Sequence, residues 1–296
     1  MTPFCDWLDV TFSPEHSPVR SLRALLVSLG AEVLSDDAFR IGEGTVHMGA
    51  RYGVMRVSAS GSALAHFRLC GAYMDWLSIL SECPHRITRL DAAYDVPRDG
   101  ADVLDELRRQ YPTGQVKLSR KAMSVKLMLA VRPDGRETGS FYVGHRSKAR
   151  VTARVYDKRQ ERLDHRKPDG PPRTRYEVTV KQDYGVTLRD AAEPERLFWH
   201  VASPALIDKP DGIPGWSPDW SQGWRADPRP DLLPAEVLER RLSNSAELAL
   251  LRDIADEMGP NGRVWLLRQL ASVLGVSVHG SLSRASSSLS EPLDSV

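Results

Sequence analysis

The chain has 296 residues, of which 41% are hydrophobic and 27% charged, so a packed core can form and a wholly disordered chain is excluded. No run approaches the roughly 18 apolar residues of a membrane-spanning helix, and the N-terminus MTPFCDWLDVTF has no basic segment followed by an apolar one. We therefore expect a cytoplasmic protein that does not enter a membrane. Because the three cysteines form no CxxC pair, the sequence also argues against a cysteine metal site or a disulfide framework.

The charges are strongly segregated along the chain. The segment Lys117 to Lys181 contains 18 basic and 7 acidic residues, whereas the rest of the chain contains 22 basic and 32 acidic residues. Phosphate contacts dominate the affinity of proteins for nucleic acids, so a basic segment of this kind indicates a surface for a polyanion. The alternative is a solvated face on which the charges pair with one another.

The first third of the chain has the element order of a ferredoxin-like fold. Alternating apolar residues predict strands, and apolar residues at helical spacing predict helices. The predicted elements are a strand at 7–12, a helix at 18–29, strands at 38–48 and 52–58, a helix at 62–80 and a strand at 86–96. This βαββαβ order is that of a split βαβ unit, so we predict an α+β fold.

The rest of the chain predicts more antiparallel strands in one large sheet, followed by a helical C-terminal region. After a helix at 101–110, strands are expected at 124–131, 139–144, 152–158 and 173–181. We therefore divide the chain into a β-rich domain (1–184), an irregular linker rich in Pro and Trp (185–233), a helical part broken near Gly259 (234–276) and a disordered tail (277–296).

Strand parity places a group of polar side chains on one face of the predicted sheet. Side chains alternate across a strand, so residues two apart share a face. The residues expected on this polar face are Asp91, Glu177, Tyr156, Arg154 and Lys158, with Asp9 as a further candidate. Carboxylate oxygens bind Mg²⁺ or Mn²⁺, and a tyrosine hydroxyl can attack phosphorus when neighbouring groups assist it. The alternative is that these are ordinary side chains of exposed strands.

Three motifs give the chain a family resemblance. GSFYVGHRSKARVTARVYDKRQE (139–161), RYEVTVK (175–181) and RLD (89–91) resemble the replication initiation factor family, often called Rep_trans. That family includes rolling-circle initiators of plasmids and related proteins of filamentous phages, integrative elements and some relaxases. The family's Gly-Ser-Arg turn is replaced here by Gly144, His145 and Arg146. None of the eight histidines forms the closely spaced pair by which another nicking family holds its metal.

The resemblance implies an enzyme that nicks and rejoins a specific DNA strand through a covalent 5′-phosphotyrosine, with Mg²⁺ or Mn²⁺ as cofactor. By that resemblance Tyr156 is the nucleophile, assisted by Arg154 and Lys158, and Tyr142 is the alternative nucleophile. The implied metal ligands are Asp91 and Glu177, and Glu161 is either a third ligand or a partner for the basic strand. The resemblance also implies that Arg146, Lys148, Arg154 and Lys158 hold DNA phosphates, and Arg175 and Lys181 are further candidates for DNA contacts.

The implied partner is single-stranded or locally melted DNA at an origin, and a host helicase and a homodimer are left open. Two other functions also remain open: a metal-dependent nuclease that uses water, and a DNA-binding regulator without enzymatic activity. Four tryptophans offer either a stacking platform for bases or anchors that hold the linker against the domain: Trp199, Trp216, Trp220 and Trp224.

Overall fold

The computed structural model describes residues 2–51, 53–113, 124–145, 149–181, 184–203, 206–219, 246–259, 261–262, 264–266 and 268. The chain divides into two compact units, Met1–Arg225 and Ala226–Val296. Several sequence-based predictions lie outside the described residues: Arg146, Lys148, Trp220, Trp224, the linker at 220–233, the helical part at 234–245 and 269–276, and the tail 277–296.

The first unit is built on a ten-stranded sheet in which every neighbouring pair is antiparallel, as expected from the sequence. The strands lie in the order β2-β3-β4-β5-β1-β6-β10-β9-β8-β7. They are β1 (Phe4–Phe12), β2 (Glu32–Ser35), β3 (Ala38–Ile41), β4 (Gly44–Arg51), β5 (Val54–Ser60), β6 (His85–Val96), β7 (Val125–Val131), β8 (Glu137–Val143), β9 (Val151–Asp157) and β10 (Thr174–Lys181).

The four strands β4, β5, β1 and β6 form the predicted split βαβ unit. β5 lies between β1 and β4 and is antiparallel to both, and β6 lies on the other side of β1. The strand predicted at 38–48 is in fact two strands, because Gly42 adopts a φ of 54° in a tight turn between β3 and β4. The exposed strand β2 was missed, since none of its four residues is buried.

Among the described residues of the first unit, seven α-helices accompany the sheet. They are α1 (Val19–Ser28), α2 (Gly61–Leu69), α3 (Tyr73–Ser81), α4 (Gly100–Gln110), α5 (Lys158–Asp164), α6 (Leu188–Ala192) and α7 (Glu195–Ala202). The single helix predicted at 62–80 is divided into α2 and α3, because Gly71 between them has a φ of 72° that helical residues do not adopt. None of the helices among the described residues is long and apolar enough to cross a bilayer.

The core lies between one face of the sheet and six of these helices. Leu8, Val155 and Val178 are buried on that face, and α1, α2, α3, α4, α6 and α7 contribute apolar side chains to the same cluster. The helix α5 has no buried residue and lies outside this core. The apolar half of each central strand is thereby covered, which leaves the opposite, polar face of the sheet for other contacts.

The segment after Gly185 is more regular than the irregular linker predicted there, because α6 and α7 pack into the core. Leu197, Phe198 and Trp199 of α7 are all buried, and the Trp199 ring lies 5.3 Å from that of Tyr94 in β6. Trp216 stacks on Tyr184 with 5.4 Å between ring centroids and donates its Nε1–H to Asp190 at 2.7 Å. Both tryptophans therefore anchor this segment, which was one of the two roles considered from the sequence.

The second unit contains the helix α8 (Ala246–Glu257). Gly259 follows it with a φ of 70°, and helical residues resume at 261. The interruption lies where the sequence predicted it.

Candidate active site on the polar face of the sheet

The strand registers align the predicted site residues in rows across the polar face. The structure confirms the parity that was assigned from the sequence. The residues of β6, β9 and β10 that were expected on this face are direct partners in the strand registers. The three rows are Tyr142, Arg154, Glu177 and Ala93; Ser140, Tyr156, Arg175 and Asp95; and Thr152, Thr179, Asp91 and Trp7. One face thus carries two of the implied metal ligands and both candidate nucleophiles.

Tyr156 is held between cations on its ring and a carboxylate at its hydroxyl. The side chain is 2% exposed, and its hydroxyl donates a hydrogen bond to Glu177 Oε2 at 3.4 Å. The Arg154 guanidinium lies 3.9 Å from the ring centroid and Lys158 Nζ lies 5.5 Å from it. Burial, followed by the negative charge of Glu177, raises the pKa of Tyr156 well above its ordinary value. The phenol is therefore a neutral hydrogen-bond donor in this state.

Lys158 reaches Tyr156 from a helix and not from the strand on which the sequence placed it. β9 ends at Asp157, whose carboxylate caps α5 by accepting the backbone N–H of Gln160 at 3.0 Å. Lys158 is the first residue of α5, and its ammonium also pairs with Glu161 at 2.5 Å, one helical turn later. The helix cap therefore fixes Lys158 and Glu161 beside the Tyr156 ring.

Asp91 is buried and Glu177 is half-buried, and the two carboxylates interact electrostatically. Burial, followed by the negative charges of Asp91 and Asp6, raises the pKa of Glu177 to about 7. Burial also raises the pKa of Asp91, although Arg89 opposes this by binding both of its carboxylate oxygens. Both shifts arise mainly from burial, which disfavours the charged carboxylates, and a bound cation would favour the charged forms again.

Asp91 and Glu177 are the residues whose chemistry fits a divalent cation, and Asp91 would exchange its contacts with Arg89 for the ion. Hard carboxylate oxygens are the ligands that Mg²⁺ and Mn²⁺ prefer. Glu161, the third implied ligand, is engaged by Lys158 in this conformation. Within the described part of the chain, no three His, Cys, Asp or Glu side chains are grouped as a metal site would require.

Arg175 is turned inward to two carboxylates. Its Nε and Nη2 donate to Asp95 at 2.7 and 2.9 Å, and its Nη1 donates to both oxygens of Asp6 at 2.9 Å. Its side chain is 9% exposed. This arrangement suits a structural role more than the contact with DNA for which Arg175 was a candidate.

Asp6 and Asp95 were not singled out from the sequence. Asp6 joins the polar face because β1 has a register shift against β6 between Cys5 and Trp7, and a bulge of this kind has no signature in residue type. Asp9, the further carboxylate candidate, accepts from Trp7 Nε1 at 2.8 Å and Arg56 at 2.6 Å, so it is already engaged.

These residues open into a cleft of about 950 Å³ that is lined by seven Lys and Arg and five Asp and Glu side chains. Its walls come from the polar face of the sheet, from α5 and from the first turns of α2. An ion pair between Lys167 and Glu43, 2.5 Å apart, lies across it. The basic residues of the cleft are Arg89, Arg154, Lys158, Arg162, Lys167, Arg173 and Arg175. A cleft of this charge suits the phosphate backbone of a nucleic acid.

The family comparison covers the strands that carry this site. The model of the family described as "replication initiation factor" matches residues 85–190. This part of the chain is therefore similar to the replication initiation factors. The match runs from β6 to α6 and includes β8, β9 and β10, so it contains Asp91, Tyr156 and Glu177. The family resemblance inferred from the motifs is thereby confirmed over this range.

Two solved structures show weaker similarity. The rolling circle replication initiator protein from Geobacillus stearothermophilus is 19% identical, with a TM-score of 0.46 over 65% of this chain and 79% of that chain. The di-domain ARO/CYC BexL of the BE-7585A biosynthetic pathway is 11% identical, with a TM-score of 0.22 over 70% of this chain and 96% of that chain. Neither TM-score establishes a common fold. No curated protein sequence matches the chain.

Proposed function

We propose that this protein initiates rolling-circle replication by nicking one DNA strand at an origin and later rejoining it through a covalent phosphotyrosine at Tyr156. The observation that carries the proposal is the hydrogen bond from Tyr156 to Glu177, on the face that also bears Asp91 and the cations of the cleft. The match to the replication initiation factors over residues 85–190 supports the same function.

The existing hydrogen bond defines the path of the proton. Tyr156 Oη attacks the scissile phosphorus while its proton passes to Glu177 Oε2, the atom that already accepts its hydrogen bond. The bond from phosphorus to the 3′-oxygen breaks, and that oxygen leaves as a 3′-hydroxyl after taking a proton from water. The 5′-phosphate stays on Tyr156, and attack by a 3′-hydroxyl reverses the step and reseals the strand.

The cations around the ring would stabilise the charge that develops on the phosphoryl oxygens. Arg154 and Lys158 approach the Tyr156 ring within 3.9 and 5.5 Å of its centroid, which places positive charge next to the attacking oxygen. Arg154 is fixed in place because it also donates to Ser140 Oγ at 3.2 Å. A Mg²⁺ or Mn²⁺ ion held by Asp91 and Glu177 would polarise a phosphoryl oxygen.

The substrate must be a strand that is already single or locally melted, because paired and stacked DNA cannot place a phosphate against a buried tyrosine. The covalent intermediate preserves the energy of the phosphodiester bond, which is what a protein that later closes the strand requires. A host helicase that extends the melted region and a second copy of the chain are the further partners that we propose.

The test is adduct formation on a denaturing gel. Labelled single-stranded oligonucleotides that tile the DNA element encoding the protein are incubated with protein and Mn²⁺. We expect one oligonucleotide to give a slowly migrating band that Tyr156→Phe and EDTA abolish and Tyr142→Phe does not. A band that persists in Tyr156→Phe and disappears in Tyr142→Phe would move the nucleophile to Tyr142.

The burial of Tyr156 favours one alternative, a metal-dependent nuclease that uses water. A phenol that is 2% exposed and has a raised pKa is a poor nucleophile unless the site opens. That enzyme would cleave the labelled strand without a slow band, and Tyr156→Phe would still cleave. Binding with neither cleavage nor sensitivity to EDTA would indicate a DNA-binding regulator.

A further inference from the structure

A second, smaller cavity adjoins the cleft that contains Tyr156. It has a volume of about 150 Å³ and is lined by Tyr142 with the cations Arg89, Arg154 and Lys181 and the carboxylate of Glu177. Arg89, Arg154 and Glu177 line both cavities. The two spaces are therefore neighbours on the same face, and the second one contains the tyrosine that the proposed chemistry does not use.

Arg154 links the two tyrosines. Its guanidinium lies 3.9 Å from the centroid of Tyr156 and 5.4 Å from that of Tyr142. The hydrogen bonds from Arg154 to Ser140 Oγ, at 3.2 and 3.4 Å, hold the guanidinium in this position. Residues that are diagonal neighbours on adjacent antiparallel strands, as Tyr142 and Tyr156 are, lie about 7–8 Å apart. That separation is comparable to the length of one extended nucleotide.

Cations and an aromatic ring alternate along the row that contains Tyr142. Lys126 of β7 pairs directly with Tyr142, and Arg154 pairs with it on the other side. Tyr142 is partly exposed and Lys126 is exposed. Proteins that bind single-stranded nucleic acids combine cations for the phosphates with aromatic side chains on which the bases stack, and this row has both.

We propose that Tyr142 is a stacking platform for the base of the nucleotide next to the scissile phosphate, with Arg154 and Lys181 binding the phosphate of that nucleotide. This inference rests on the proposed function of Tyr156 and adds the path of the DNA strand, which runs from the cleft across β9 and β8 towards the β7 edge of the sheet. Under this inference Tyr142 binds DNA and is not the nucleophile. The aromatic ring of Tyr142 is therefore required for DNA binding, and its hydroxyl is not.

The test measures the affinity of the full chain for a fluorescein-labelled, single-stranded 20-mer by fluorescence polarisation, over a series of salt concentrations. We expect Tyr142→Leu to bind about 5- to 100-fold more weakly, which is the usual effect of losing one stacked base. Tyr142→Phe and Tyr142→Trp, which keep an aromatic ring, should restore most of the affinity. The matched control is Tyr111→Leu, because Tyr111 is also exposed but contacts Phe141, on the core side of the same strand.

The salt dependence distinguishes the loss of stacking from the loss of a phosphate contact, and the aromatic variants distinguish the loss of stacking from misfolding. The slope of log Kd against log salt should be the same in Tyr142→Leu as in the unaltered protein, because no phosphate contact is lost, whereas Lys181→Ala should reduce it by about 0.7. A Tyr142→Leu affinity within twofold of the unaltered protein would overturn the proposal. So would a Tyr142→Phe or Tyr142→Trp protein that binds as weakly as Tyr142→Leu, since that result would assign the effect to altered packing.

The fate of the covalent adduct distinguishes a failure of this inference from a failure of the proposed function. If the adduct forms through Tyr156 and Tyr142→Leu still binds normally, only the stacking role is wrong. If no oligonucleotide gives an adduct, the proposed function is wrong whatever Tyr142 does. If Tyr142→Phe binds normally but gives no adduct, Tyr142 is the nucleophile and its assignment as a platform is overturned.

Discussion

Replacing Arg175 by methionine should destabilise the first unit far more than it weakens DNA binding. Three nitrogens of Arg175 are bound by Asp95 and Asp6 at 2.7–2.9 Å, and the side chain is 9% exposed. Removing one partner of such a network leaves buried carboxylates without a counter-charge, which costs about 3–5 kcal/mol. We therefore expect the free energy of unfolding of Arg175→Met to fall by that amount.

Urea unfolding followed by circular dichroism measures this change, with Arg173→Met as the matched control. Arg173 immediately precedes the same strand, its distance to Asp95 is as long as 3.7 Å, and 39% of its side chain is exposed, so its replacement should cost no more than about 1 kcal/mol. The double variant Arg175→Met, Asp95→Asn should recover part of the loss. A loss below about 1 kcal/mol for Arg175→Met, together with a reduced salt slope of DNA binding, would contradict a structural role.

Three further predictions concern the polar face and its supporting hairpin. Asp91→Asn should raise the Mn²⁺ concentration needed for half-maximal nicking at least about tenfold, because it removes a charged ligand. Lys158→Met should slow nicking and leave the unfolding transition in place, because the Lys158 ammonium lies beside Tyr156 at the surface of the cleft. Gly139→Ala should lower stability by at least about 1–3 kcal/mol, because Gly139 has a φ of 139° and an added Cβ would lie 1.9 Å from the Met128 carbonyl oxygen.

Each of these has an outcome that contradicts it. An unchanged Mn²⁺ dependence in Asp91→Asn would remove that carboxylate from the metal site, and an unchanged nicking rate in Lys158→Met would remove the lysine from the chemistry. For Gly139→Ala the comparison is Gly170→Ala, where an added Cβ meets nothing within 4 Å. Equal stability of the two variants would show that the β7–β8 hairpin tolerates the substitution.

The rows of the polar face were predictable because strand parity depends only on counting residues. Once β6, β9 and β10 were recognised, the alternation placed Asp91, Glu177 and Tyr156 on one face, and the registers confirm it. The strands themselves were recognisable because each has an apolar half that faces the core, as Val178 and Val180 do in β10. The exposed strand β2 lacks such a half and was missed.

The partners of the charged residues were not predictable in the same way. Parity placed Arg175 on the correct face, but whether it meets DNA or another part of the chain depends on Asp6, which is 169 residues away and is brought there by a bulge. The position of Lys158 was also mistaken, since the capping carboxylate of Asp157 ends the strand one residue earlier. The Arg175 difference arises from a tertiary contact that local sequence patterns do not record, whereas the Lys158 difference arises from a local helix cap.

The central claim is that Tyr156 becomes covalently joined to DNA, and peptide mapping of the adduct tests it most directly. Trypsin separates the two candidate tyrosines, because Tyr156 lies in the peptide Val155–Lys158 and Tyr142 lies in the peptide Glu137–Arg146. After nuclease treatment and tryptic digestion of the adduct, mass spectrometry should find the residual nucleotide on the Val155–Lys158 peptide. A nucleotide on the Glu137–Arg146 peptide, or cleaved DNA with neither peptide modified, would contradict the account.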